Sequence, residues 1–207
     1  SLLFKPLLYC GNIYYTYNNL DSALTLYKEA ETISERFHGS LSETERLYNA
    51  LGALFFETGN YRQAKNYFAK AVSSLTKDTP YYKELLVNYK INLAAALNGL
   101  EEYDEAIAVY KNLLGLAVNR DDILHMMGII NLKLGALEKA VSYFKQAHYD
   151  GPLSVRLANN LALAYLNLKR QDSTRYYLNL ADSLNNLYNA KRKNTDHGLS
   201  FKYRGDL

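Results

Sequence analysis

The chain has 207 residues, a hydrophobic share of 48% and a net charge of +3. That apolar content excludes a disordered chain, and the length allows one or two ordinary domains or a single elongated repeat array. Basic residues are scattered except for the run Lys191 to Asn194, so no stripe marks a nucleic-acid or anionic-membrane partner.

Three prolines, twenty tyrosines and no alternating strand pattern predict an all-helical protein. Taken along the chain, the predicted helices come in pairs. The stretch "LLYCGNIYYTYNNLDSALTLYKEA" sets Gly11 and Tyr14 in one helix and Ala23, Tyr27 and Ala30 in the next. "YNALGALFFETGNYRQAKNYFAKAV" repeats that spacing with Gly52, Phe55, Ala64, Phe68 and Ala71. A third copy puts alanine for glycine, with Ala94, Leu97, Ala106 and Tyr110. The fourth returns to glycine, with Gly128, Ala140, Phe144 and Ala147 before Pro152, and the fifth has Ala162, Tyr165, Thr174 and Ala181. Glycine inside a helix costs roughly 0.5 to 1 kcal/mol relative to alanine. Each such glycine therefore predicts a close helix contact, and for Gly52 the expected partner is Ala64, toward the near end of the usual separation of about 8 to 10 Å.

Two intervals are long. Ala23 to Ala64 is 41 residues and Ala64 to Ala106 is 42, whereas Ala106 to Ala140 and Ala140 to Thr174 are 34 each. The excess is about two helical turns, which predicts lengthened helices around "ISERFHGSLSETERL" and "SSLTKDTPYYKELL". Ser42 with Glu45 reads as a capping box, and Thr79 before Pro80 as a cap ahead of a first-turn proline.

This pattern resembles the tetratricopeptide repeat, a helix-turn-helix of ~34 residues with small residues at its closest contact. The resemblance covers nearly the whole chain and implies an all-α fold, a right-handed α-solenoid of antiparallel helix pairs in one array over residues 1–207. The repeats run approximately 4–41, 42–78, 79–119, 120–152 and 153–190, with 191–197 as a linker and 198–207 as the first helix of a sixth. Gly205 stands forty-three residues after Ala162, so Arg204, Gly205 and Asp206 are expected at a helix contact and not in an adhesion loop. The unfinished sixth repeat and the opening on Ser1 predict a piece of a longer bacterial multidomain protein.

The resemblance also implies a groove lined by the first helix of each repeat. Carried over, its positions are Asn12 and Tyr15, then Arg46, Asn49 and Phe56, then Asn88 and Asn92, then His125, and finally Arg156 and Asn159. Glu57 shares the groove side, and Ala53 and Ala95 leave room beside these residues. A carboxamide carries both a donor and an acceptor, as a peptide unit does, so recurring asparagine suits an extended backbone. The implied function is a non-catalytic scaffold for a protein or extended peptide. The alternative is a regulatory or sensor segment of a larger signalling or protease-containing protein. A clamp for C-terminal carboxylates is not expected, because Asn88 and Asn92 stand where its cations would be.

Neither an enzyme, a cofactor nor a metal is expected. His38, His125, His148 and His197 are far apart and form no H-E-x-x-H, and no G-x-S-x-G elbow or phosphate-binding glycine loop occurs. A single cysteine, Cys10, excludes an intrachain disulfide, and Tyr9 before it argues against a lipoprotein signal. No window approaches the ~18 apolar residues of a membrane helix, and a cytoplasmic location is favoured. Tyr14, Tyr27, Tyr110 and Tyr165 are expected in the core. Leu199, Phe201 and Tyr203 leave an apolar end that predicts docking on the fifth repeat or a homodimer through the C-terminal end.

Overall fold

Apolar residues recur along the chain at steps of three and four, the spacing that gives a helix one buried face. In "TERLYNALGALFFE" these are Leu47, Leu51 and Leu54, each at most 2% exposed. The computed structural model describes residues 2–37, 41–116, 120–150 and 153–204, with side chains to residue 189. Within them the regular structure is entirely helical, and the chain divides into two compact units, Ser1–Val118 and Asn119–Leu207, where the sequence predicted one array.

The first unit holds three hairpins: α1 (Phe4–Thr16) with α2 (Leu20–Arg36), α3 (Thr44–Glu57) with α4 (Tyr61–Ser74), and α5 (Tyr82–Gly99) with α6 (Tyr103–Leu114). The second holds α7 (Arg120–Lys133) with α8 (Leu137–Asp150) and α9 (Val155–Asn167) with α10 (Gln171–Arg204). Neighbouring hairpins of the first unit share a core in which Phe4, Leu8 and Tyr27 pack with Leu47, Leu51 and Leu54. Neither hairpin could bury those side chains alone, and fully burying one is worth roughly 1.5 to 3 kcal/mol.

All five hairpins turn in the same way. A residue of positive φ follows each first helix: Asn18, Gly59, Glu101, Gly135 and Lys169. The next residue donates its backbone N–H five residues back, as Asn19 does to Tyr14 O and Asn60 to Phe55 O. It then opens the second helix by accepting from the N–H four residues on, as Asn19 O does from Ala23. In α2 and α4 the side chains of Asn19 and Asn60 also cap the N–H groups of Ser22 and Gln63.

Several expectations are corrected. The residue that excludes a side chain from Gly52 is Phe68 and not Ala64, because a Cβ there would stand 2.5 to 3.0 Å from atoms of the phenylalanine ring, one turn beyond the alanine. Tyr27 and Phe144 do the same at Gly11 and Gly128, and between hairpins the ring of Tyr61 covers Gly99. The capping box of Ser42 and Glu45 does not form. Glu43, at φ 74°, precedes α3, and the Thr44 hydroxyl bonds back to Leu41 O. Thr79 likewise closes a local turn by accepting from Thr76 N–H, and Tyr81, at φ 60°, precedes α5. The lengthening falls on α2 and α5, with 17 and 18 residues, while α3 and α4 have 14 each. Tyr14 is 43% exposed, whereas Tyr27, Tyr110 and Tyr165 are buried.

At the C-terminal end, one continuous helix replaces the predicted linker at 191–197 and the separate helix after it. No proline or glycine interrupts Gln171 to His197, and lysine and arginine are good helix formers, so the basic run continues α10. Residues 205–207 and the side chains of Leu199, Phe201 and Tyr203 lie outside the described part, as do the expectations placed on them.

Candidate functional site

In the first unit, α1, α3 and α5 are the first helices of successive hairpins, and their shared face carries a recess of about 160 Å³. Ala53, Phe56 and Glu57 reach it from one face of α3, three and four residues apart, and Asn92 and Ala95 reach it from α5. Tyr15 enters from α1, and Phe68 of α4 forms the floor behind Gly52. The two alanines open the space, and the aromatic rings give it apolar walls. Burial, with the Glu57 carboxylate close by, pushes the Tyr15 phenol up to about 12.

Tyr15, Phe56 and Asn92, three of the predicted groove residues, are thus brought together around one opening. Asn49 joins them through a hydrogen bond of 2.9 Å, with Asn92 Nδ2 donating to Asn49 Oδ1. Asn12 is exposed, yet its Oδ1 accepts from the buried Tyr27 hydroxyl at 2.8 Å, so this asparagine serves the hairpin's own packing. Arg46 is exposed near the start of α3 and borders a different cleft with Glu43, Asp78 and Thr79. Asn88 is exposed on α5.

In the second unit the expected line of groove residues is only partly realised. His125 is 4% exposed, packed at 5.6 Å edge to face with Phe144, and its Nε2 lies 2.7 Å from Asn160 Nδ2. It belongs to the core and not to an open surface, because Phe144 of α8 and Asn160 of α9 both lie against it. Burial lowers its pKa, with help from the Arg156 cation and opposition from Asp122. Arg156 and Asn159 are exposed, and Arg156 pairs with Asp122 at 3.6 Å. Asn160 was missed because the family's positions point to its neighbour, Asn159.

A larger dish of about 680 Å³ lies on the second helices, lined by Lys28, Gln63, Tyr67 and Lys70 among others. Sequence inspection missed the group beneath it. Glu31, 7% exposed, accepts from Lys28 at 2.8 Å and from the Tyr67 hydroxyl at 3.1 Å, with Lys70 at 3.6 Å. Its lysines lie about 5 Å above the Tyr67 ring. The i, i+3 pairing of Lys28 with Glu31 was the one signal available, and it reads as an ordinary solvated helix pair. These charges bind α2 to α4 and answer one another. Among the described residues no group of three or more His, Cys, Asp or Glu could hold a metal, and no helix is long and apolar enough to cross a membrane.

Three family models described as tetratricopeptide repeat match residues 7–77, 91–124 and 121–147. The BBSome complex member BBS4 of Bos taurus is 25% identical over 171 residues, 83% of this chain and 30% of that protein. The chain therefore spans less than a third of that relative. Among solved structures, the apo form of RapI superposes with a TM-score of 0.78 at 13% identity, covering 93% of this chain and 74% of RapI. The Rap conjugation gene regulator of the plasmid pLS20, in complex with the Phr* peptide, superposes with a TM-score of 0.67 at 18% identity, covering 90% of this chain and 54% of the regulator. At such identities the likeness is one of fold.

Proposed function

This chain is a tetratricopeptide-repeat protein, and from that premise we propose that it is a non-catalytic scaffold holding a protein segment or extended peptide against the first helices of its repeats. The observation that carries this reading is the recess to which α1, α3 and α5 all contribute, with Ala53 and Ala95 opening it. Rigid helices from three hairpins converge there, so a ligand side chain can be held without ordering a loop. The Asn49–Asn92 pair beside it adds polar groups of the kind that meet a peptide backbone. The peptide in the pLS20 regulator structure supports the reading by analogy of fold.

Display selection of random dodecapeptides on the chain, followed by calorimetry, tests it. Selected peptides should lose at least tenfold in affinity against Ala95→Arg, which fills the recess. Equal affinity for both forms would move the site off this face, and failure to enrich any peptide would remove the proposal.

A further inference from the structure

We propose that the recess of the first unit is an arginine subsite, in which the guanidinium of an extended peptide meets Glu57 and its stem lies between Ala53 and Ala95. This rests on the peptide-binding reading and adds the chemistry of the ligand. Glu43 holds Lys5 at 3.0 Å, Glu31 holds Lys28 at 2.8 Å and Glu138 holds Arg170 at 2.6 Å. Glu57 has no cation within ion-pair distance among the described residues, although it stands at the edge of a half-apolar opening with the Tyr15 phenol beside it. A carboxylate so placed answers a cation brought by the ligand.

The recess of about 160 Å³ has room for a single side chain, with alanines on two sides and the rings of Tyr15, Phe56 and Phe68 around it. A planar guanidinium stacks on such faces and forks to a carboxylate, and its three-carbon stem lies along apolar surface. The peptide backbone that delivers it also finds partners. The Asn92-to-Asn49 bond leaves Asn49 Nδ2 as a donor and Asn92 Oδ1 as an acceptor, the complement of one peptide unit, and Asn92 itself lines the recess. A preference for cations would have to be local, since the net charge is +3.

The test uses the full chain and three pools of acetylated, amidated nonapeptides, randomised over uncharged residues except for a central residue fixed as Arg, Glu or Leu. Fluorescence polarisation should show the Arg pool binding at least tenfold more tightly than the Glu pool. In Glu57→Gln that difference should fall below threefold while the Leu pool is unaffected. Equal binding of the Arg and Glu pools by the parent chain, or a preference that survives in Glu57→Gln, overturns the arginine subsite and leaves the peptide reading standing. No binding by any pool overturns both.

Discussion

The ring of Phe68 lies against the backbone of Gly52 so closely that a Cβ on that glycine would stand 2.5 Å from ring Cδ1. Gly52→Ala should therefore destabilise the protein. A steric cost of about 1 to 3 kcal/mol for overpacking outweighs the ~1 kcal/mol that alanine returns in helix propensity. Urea midpoints check the direction, and a double-mutant cycle checks the cause. Phe68→Leu should couple strongly to Gly52→Ala, whereas Ala64→Gly should add independently. Coupling to Ala64 instead would restore the glycine-to-alanine contact.

Tyr27 and Tyr110 occupy matching places in the first and third hairpins but differ at the hydroxyl. Tyr27 donates to Asn12, whereas the residue matching Asn12 in the third hairpin is Ala95, and the buried Tyr110 hydroxyl has no partner among the described residues. Tyr27→Phe should lower stability by ~0.5 to 1.5 kcal/mol, as for loss of an ordinary hydrogen bond. Tyr110→Phe should hold or raise it, since an unsatisfied buried polar group costs about 1 to 3 kcal/mol. Similar losses for both, read from denaturant curves, would contradict the difference.

Glu101 and Lys169 sit at φ 63° and 58° in turns where the second and fourth hairpins use Gly59 and Gly135. The left-handed conformation costs an ordinary residue about 1 to 2 kcal/mol, and glycine gives back part of that in unfolded-state entropy. Lys169→Gly and Glu101→Gly should each raise stability by up to ~1 kcal/mol, measured as an increase in urea midpoint with unchanged slope. Asn18→Gly should do less, because asparagine tolerates this region.

His125 is held neutral by burial, so its pKa in the folded protein lies below the ordinary histidine value. The unfolded chain then binds more protons than the folded one as pH falls below about 6.5. The stability from this group is fully present above that pH and is lost as pH drops through the lowered folded value. The slope from one group cannot exceed ~1.4 kcal/mol per pH unit. Urea unfolding between pH 5 and 7.5 should show less pH dependence in His125→Asn than in the parent; equal slopes would place the titration elsewhere.

The helix pairs were legible in the chain because steps of three and four residues, and the small residue that recurs in each first helix, are local properties of sequence. Turn chemistry was half legible: Gly59 and Gly135 announce a left-handed residue, while Asn18, Glu101 and Lys169 adopt the same geometry because the helices on either side impose it. Spacing alone placed Gly52 and Ala64 in register, but ring size and direction decided that Phe68 fills the gap. Tertiary structure also sorted the candidate groove. It gathered Tyr15, Phe56 and Asn92 around one recess, committed Asn12 to Tyr27, and buried His125 against Asn160. A side chain's position on its own helix follows from periodicity, but whether it meets solvent, a partner or a neighbouring ring depends on residues some 15 to 43 positions away, whose distance in space only packing determines.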